Sequence, residues 1–218
     1  MLKSDDVYYT GEQSVGRQMR QKRMKLFLDL LENVPKPCRI LDVGGEPNYW
    51  KVLGFQVEGV EIVCMNLNPR NSDWPNVTSV AGNAISMPEY ADQSFDIVYS
   101  NSVIEHLFTT ENQFKMASEV RRVGKRYFVQ TPNKYFPIEP HFLFPLWQFL
   151  PREMRIRMIQ KRRVGFAGPA SSRTEAEQIV DEILLISKSD FQKMFPDGTL
   201  IVEKFKGLSK SFMVYHGF

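Results

Sequence analysis

The sequence predicts an α/β protein whose core is an open, mostly parallel sheet with helices on both faces. Short apolar segments rich in β-branched residues alternate with segments of helical periodicity. The apolar residues of the short segments are nearly continuous, which is typical of strands buried on both faces. The chain has 218 residues, 43% hydrophobic and 24% charged, so we expect one domain spanning residues 1–218.

An N-terminal helix is predicted over residues 12–34. Its strongest periodicity runs from Val15 to Val34, with apolar side chains on one face. Residues 16–25 of this helix carry five basic residues and no acidic one. Such a block is either a solvated helix face or a contact with an anionic partner. Pro35 and Pro37 end the helix.

Five apolar segments follow the helix and are predicted as parallel strands: Cys38–Val43, Glu61–Leu67, Val77–Ala81, Phe95–Ser100 and Lys125–Thr131. A short helix fits between the first two strands, at residues 49–55. Thr110 and Gln113 indicate a capping box for a helix that runs to Val123 and ends at Gly124.

The C-terminal part of the chain predicts two further helices and two strands. Thr174 and Glu177 indicate the cap of one helix, and a short helix at residues 190–195 is ended by Pro196. The final strands are predicted at residues 200–205 and 211–216, with residues 206–210 between them.

The segment from Pro132 to Arg173 fits no strand–helix unit, and we expect an inserted substrate lid over residues 132–173. Phe142–Leu150 is strongly apolar, and residues 151–163 carry six basic residues against Glu153 alone. The aromatic residues either pack over the active site beside solvated arginines, or residues 142–163 contact an anionic membrane peripherally.

Charge and cysteine content narrow the class of protein. The net charge of +3 (28 basic and 25 acidic residues) is ordinary for a globular protein. Cys38 and Cys64 lie in apolar segments, so we predict buried free thiols, no disulfide framework and no metal site. There is no apolar leader and no bilayer-length apolar stretch. We therefore expect a cytoplasmic protein, peripheral to the inner face of the membrane if residues 142–163 bind lipid.

The loop after the first predicted strand carries the first functional signal. Residues 40–45 read Ile-Leu-Asp-Val-Gly-Gly, and this run resembles the first motif of class I S-adenosylmethionine-dependent methyltransferases. Further segments resemble the same family in the same order: residues 64–68, 82–88, 92–107 and 203–211. The resemblance covers about residues 36–131 and 187–216, and it is that of a small-molecule methyltransferase.

The resemblance implies a Rossmann-like, doubly wound sheet of seven strands with an antiparallel last strand. It also implies S-adenosyl-L-methionine as cofactor. The positions that match the family's cofactor-binding segments are Asp42, Gly44, Gly45, Asn66, Leu67, Asn83, Ala84, Asn101, Ser102 and His106.

Several positions depart from the family's pattern. Glu46 and Asn48 stand where small residues are usual, and Asn66 and Asn83 stand where carboxylates are common. An amide bonds a ribose hydroxyl but offers no charged acceptor pair. We therefore expect weaker cofactor binding. Glu46 either faces solvent or meets the amino group of the cofactor.

Methyl transfer to a hydroxyl needs a base within hydrogen-bond reach. His141, with Glu139 two residues before it, is the first candidate, and His106 is the second, with a place in the cofactor pocket as its alternative role. A purely structural hydrogen-bonding role is the competing interpretation of each. His216, in the last strand, is interpreted as structural.

The sequence therefore predicts methyl transfer from S-adenosylmethionine to a small-molecule or lipid-linked acceptor, by O- or N-methylation, with a sugar or related metabolite as one option. The alternative is a catalytically silent protein of the same fold that binds or scaffolds. Nicotinamide chemistry is disfavoured because no Gly-x-Gly-x-x-Gly follows a strand. DNA is a disfavoured partner because Asn101-Ser102-Val103 replaces the Asn-Pro-Pro-Tyr motif of amino-group DNA methyltransferases.

Overall fold

The computed structural model describes residues 15–218, so the part of the predicted first helix before residue 15 lies outside it. The elements are α1 Val15–Leu31, β1 Cys38–Val43, α2 Pro47–Val52, β2 Val60–Asn66, β3 Val77–Ala81, β4 Ile97–Asn101, α3 Thr110–Val123, β5 Tyr127–Pro132, β6 Ile138–Glu139, β7 Phe144–Pro145, α4 Arg152–Lys161, α5 Arg173–Glu182, α6 Lys188–Met194, β8 Thr199–Phe205 and β9 Leu208–His216. Short 3₁₀ turns lie at Ile104–His106 and Trp147–Phe149.

The central sheet has seven strands in the order β3-β2-β1-β4-β5-β9-β8. β9 is antiparallel to both of its neighbours, β5 and β8. The first five strands are all parallel to the strands beside them, in the pairs β3–β2, β2–β1, β1–β4 and β4–β5. The predicted Rossmann-like, doubly wound sheet is confirmed. The strand order reverses between β1 and β4, and in such sheets ligands bind beside the carboxyl ends of the strands at that point.

Three helix caps and one turn correct the predicted boundaries. Thr109 and Ser172 cap α3 and α5, where Thr110 and Thr174 were expected, because their extended backbone lets the side-chain oxygen accept from the N–H three residues on. Ser187 caps α6 in the same way. The last two strands join through Lys206 and Gly207, whose φ values of 49° and 82° make a tight hairpin, so β9 begins at Leu208.

Apolar clusters cover both faces of the sheet. One joins the sheet to α3 and α6, and the other joins it to α1 and α2. Phe27 of α1 is fully buried in the second cluster, with its ring edge-on to Tyr99 at 4.9 Å and to Phe128 at 5.5 Å between centroids. Edge-on aromatic packing of this kind adds to the apolar burial that holds α1 on the sheet.

The basic block of α1 is not wholly a solvated face. Arg23 is 7% exposed, and its Nη1 donates to Asn101 Oδ1 at 2.7 Å and to Gln130 Oε1. Its Nε lies 3.5 Å from Glu203 Oε1. The guanidinium therefore ties α1 to the ends of β4 and β5 and to β8.

The inserted segment has an apolar cluster of its own. Phe142 and Trp147 stack at 4.4 Å between ring centroids, and they pack with Ile156 and Ile159 of α4 and with the apolar face of α5. The segment is thereby fixed to α5 rather than held by the sheet alone. Within residues 15–218, no helix has the length and apolar character needed to cross a bilayer.

Candidate active site

The glycine loop after β1 is built so that its backbone can be approached closely. Gly44 has φ 76°, and a Cβ there would lie 2.5 Å from the Val103 methyl groups. A Cβ at Gly45 would overlap the carboxylate of Asp42. Only glycine fits both positions without displacing a neighbour.

Asp42 supports this loop from beneath. It is 2% exposed, and its Oδ2 accepts a hydrogen bond from Trp50 Nε1 at 2.7 Å and a longer one from the Cys64 thiol. Burial raises the pKa of Asp42 to about 7, and the two hydrogen bonds offset this only in part. Cys38 and Cys64 are free and buried as predicted, and burial raises the pKa of the Cys38 thiol to about 11.

The end of β2 explains one departure from the family pattern. Asn66 Nδ2 donates to the carbonyl oxygens of Gly44, at 3.2 Å, and Gly45, at 3.5 Å. A carboxylate at position 66 would repel both carbonyls, so the amide belongs to the way this loop is held. Leu67 beside it is 71% exposed. Glu46 lies 3.4 Å from Arg70, which gives it an ionic partner on the protein.

The remaining predicted cofactor positions follow β3 and β4. Asn83 is exposed and accepts from the Ile85 N–H at 3.2 Å, and Ala84 beside it is partly buried. Ser102, at φ 58°, donates to Gln130 Oε1 at 2.8 Å, while Asn101 is bonded to α1 through Arg23. These loops and the glycine loop all follow the carboxyl ends of parallel strands, so they lie at the same end of the sheet. Their roles in holding a cofactor stay a prediction.

Two histidines and three carboxylates meet beyond β4 and β5: Glu105, His106, Glu139, His141 and Glu182, called here the histidine cluster. The rings of His106 and His141 are edge-on, with centroids 4.9 Å apart. His141 Nδ1 lies 2.6 Å from Glu139 Oε1, and His106 Nδ1 lies 3.3 Å from Glu182 Oε1. The structure thus brings together the three predicted catalytic residues.

Burial and neighbouring charges shift the pKa of His141 in opposite directions. The side chain of His141 is 5% exposed. Burial lowers its pKa, but the hydrogen bond to Glu139 and the negative charges of Glu139, Glu105 and Glu182 outweigh it, so the pKa is raised. Glu139 is fixed as well, because its Oε2 accepts from the backbone N–H groups of His141 and Phe142, each at 2.7 Å. The pair is therefore rigid and buried.

Sequence reasoning missed two members of the cluster. Glu105 is adjacent to His106 in the run of residues 102–107, and that adjacency was the available signal. Glu182 lies on α5, 76 residues from its partner His106, and no local pattern points to it. Nδ1 of His216 donates to the backbone oxygen of Asp197 at 2.9 Å, in agreement with a structural role.

Residues 41–127 match the family model of a methyltransferase domain. Among solved structures, the fold resembles the CurJ carbon methyltransferase, with a TM-score of 0.60 at 10% identity over 94% of this chain and 55% of that chain. It also resembles a protein of Pyrococcus horikoshii, with a TM-score of 0.55 at 17% identity over 95% and 93% of the two chains. At these identities the likeness is one of fold.

Over residues 41–127, this chain is therefore similar to an S-adenosylmethionine-dependent methyltransferase domain. Two curated relatives, uncharacterised proteins from two strains of Mycobacterium tuberculosis, are 33% identical to it over 78 residues, which is 36% of this chain and 26% of each relative. The chain therefore spans about a quarter of the length of these relatives.

The cofactor of a domain of this class is S-adenosylmethionine, and the residues of the methyltransferase domain fit it. Gly44 and Gly45 leave the loop backbone open to approach, and Leu67 offers exposed apolar surface. The exposed amide of Asn83 can bond a hydroxyl or ring-nitrogen group, while the amide of Asn66 holds the loop carbonyls. The fit lacks the usual carboxylate for the ribose. A cofactor bound there would be held by backbone and amide groups rather than by a carboxylate.

Proposed function

We propose that this chain is an S-adenosylmethionine-dependent methyltransferase whose acceptor binds beside the histidine cluster. The observation that carries the proposal is the buried pair of His141 and Glu139, joined at 2.6 Å beyond the same sheet edge as the glycine loop. When bound, the cofactor supplies an electrophilic methyl group on a sulfonium. The residues of the chain then need to align the acceptor and remove its proton.

His141 is the proposed general base. Its Nδ1 is held by Glu139, which leaves Nε2 to take the proton of an acceptor hydroxyl or amine as the methyl group is transferred. Glu139 is the positioning residue, since two backbone N–H groups and the imidazole fix its carboxylate. His106, edge-on to His141, is the second residue proposed to face the acceptor.

The acceptor is proposed to be a small-molecule or lipid-linked compound, methylated on oxygen or nitrogen. Among residues 15–218, six of the ten large apolar side chains that are exposed lie in the inserted segment: Tyr135, Ile138, Leu143, Leu146, Phe149 and Met154. Met154 also lines a surface groove with the basic residues Arg157, Lys161 and Arg162. Apolar surface bordered by basic side chains supports contact with the inner face of an anionic membrane, where a lipid-linked acceptor is presented.

Calorimetric titration with S-adenosylmethionine and with its demethylated product tests cofactor binding. Gly45→Ala places a methyl group against the Asp42 carboxylate, and we expect it to weaken binding by about tenfold or more. Gly16→Ala is the matched control, because a Cβ there makes only ordinary contacts with Arg20. Absence of binding at millimolar cofactor, or equal binding by both variants, would contradict the proposed cofactor site.

Transfer itself is tested by incubating the protein with cofactor labelled in the methyl group and with extracts separated into lipid and aqueous fractions. Label in either fraction that depends on His141, and is lost in His141→Gln with cofactor binding retained, is the expected result. Cofactor binding without transfer to any fraction would favour the silent, binding-only alternative.

A further inference from the structure

The carboxylate of Glu105 is the part of the histidine cluster that the proposed base mechanism does not use. Glu105 is fully buried, its Oε2 accepts from Thr131 Oγ1 at 3.1 Å, and its Oε1 has no hydrogen-bond partner within the described residues. Buried carboxylate oxygens are normally bonded to a donor or a cation. An unpartnered oxygen at the centre of a polar cluster therefore points to a missing positively charged ligand.

The two imidazoles complete a set of three metal-ligand side chains. Glu105, His106 and His141 each offer one ligand atom, and these atoms all lie within 4.8 Å of one another. The residues come from two separate places, the turn after β4 and the segment after β6. The fold, rather than chain adjacency alone, thus brings the three ligand groups together.

Both histidines are held as metal-ligating histidines usually are. Nδ1 of His141 is bonded to Glu139 and Nδ1 of His106 to Glu182, so each ring keeps Nε2 as its ligand atom. A carboxylate behind a ligating histidine fixes its tautomer and orientation. Three carboxylates around two imidazoles also give the cluster an excess of negative charge that a divalent cation would balance.

We propose that Glu105, His106 and His141 bind one divalent transition-metal ion, with Glu139 and Glu182 as positioning residues. Two imidazoles and one carboxylate suit Zn²⁺, Mn²⁺ or Fe²⁺ better than the oxygen-preferring Mg²⁺, and they leave coordination positions open. This reverses the expectation of no metal that the cysteine pattern suggested.

A bound metal would also restrict the class of acceptor compound, an inference that rests on the proposed function. A hydroxyl oxygen held at an open position of the ion would pass its proton to a solvent water more readily, because the cation would stabilise the alkoxide. The oxygen would then attack the methyl carbon as the carbon–sulfur bond breaks and the neutral thioether leaves. In this form of the mechanism His141 is a metal ligand rather than the base, and the acceptor class is a hydroxyl compound able to chelate a metal.

Metal binding is tested on the full chain after chelation and dialysis, by calorimetry with Zn²⁺ and Mn²⁺ and by the visible absorption of bound Co²⁺. We expect one ion per chain. Glu182→Gln, at a partly buried position, and Glu139→Gln should weaken binding by about 10- to 100-fold. Glu105→Gln should abolish the Co²⁺ spectrum, and His216→Gln, outside the cluster, should bind as the parent does.

The variants are compared at matched folding, measured by thermal unfolding without metal. Equal metal affinity in the parent, Glu182→Gln and Glu105→Gln would overturn the site, as would no binding to the folded parent. Cofactor calorimetry on the same samples separates the two proposals. Metal bound without cofactor binding contradicts the proposed function alone, and cofactor bound without metal contradicts the metal site alone.

Discussion

Replacement of Asp42 by Asn tests whether the glycine loop rests on a carboxylate that is protonated near neutral pH. Burial raises the pKa of Asp42 to about 7 from an ordinary value of 3.8. Because the pKa of Asp42 is higher in the folded protein than in the unfolded one, its protonated form contributes fully to the free energy of unfolding below about pH 4. That contribution is lost as the pH rises toward 7. A difference of about three in pKa corresponds to about 4 kcal/mol.

Asp42→Asn keeps an oxygen for the Trp50 indole but has no charge to bury. Its buried amide N–H groups add a cost of roughly 1–3 kcal/mol that does not vary with pH. The free energy of unfolding of the variant minus that of the parent should therefore rise with pH, by up to about 4 kcal/mol between pH 4 and pH 8.

Urea denaturation of both proteins without cofactor, at several pH values across this range, measures that difference directly. Asp73→Asn is the control, because Asp73 is an exposed carboxylate whose pKa the hydrogen bond from Lys51 lowers. A difference between Asp42→Asn and the parent that stays constant from pH 4 to pH 8 would refute the reasoning. It would mean that the pKa of Asp42 is the same in the folded and the unfolded protein.

Two further predictions concern the basic residues. Arg23→Met should destabilise the fold by about 3 kcal/mol in urea denaturation, since it removes the cation beside the nearly buried carboxylate of Glu203 and one donor from each of the Asn101 and Gln130 side-chain oxygens. A loss within about 0.5 kcal/mol, the range usual for surface changes, would argue against the buried network. In co-sedimentation with anionic vesicles, Arg157→Ser with Lys161→Ser should reduce the bound fraction, while Lys204→Ser with Lys206→Ser, exposed on the last hairpin, should not. Equal sedimentation of the two double variants, or binding independent of anionic lipid, would contradict the membrane proposal.

The strands of the sheet could be predicted from sequence because burial on both faces leaves a continuous apolar run, as in Cys38–Val43. Helix caps were less predictable. Thr109 and Thr110 are chemically equal candidates, and backbone conformation alone decides between them. The pairing of Glu182 with His106 was beyond local reasoning, because it depends on how α5 packs against the inserted segment. The buried role of Arg23 was hidden for the same reason, since its partners lie on β4, β5 and β8.

Negative charge is distributed unevenly between the predicted cofactor side of the site and the histidine cluster. On the cofactor side, Asn66 and Asn83 are uncharged, and the raised pKa of Asp42 leaves it partly protonated near pH 7. On the side of β4 and β5, three carboxylates surround His106 and His141. Negative charge at this sheet edge is therefore concentrated beside the proposed acceptor rather than beside the ribose. A cationic group, whether a metal ion or a protonated imidazole, is best stabilised there. The charged chemistry of the proposed site consequently lies on its acceptor side.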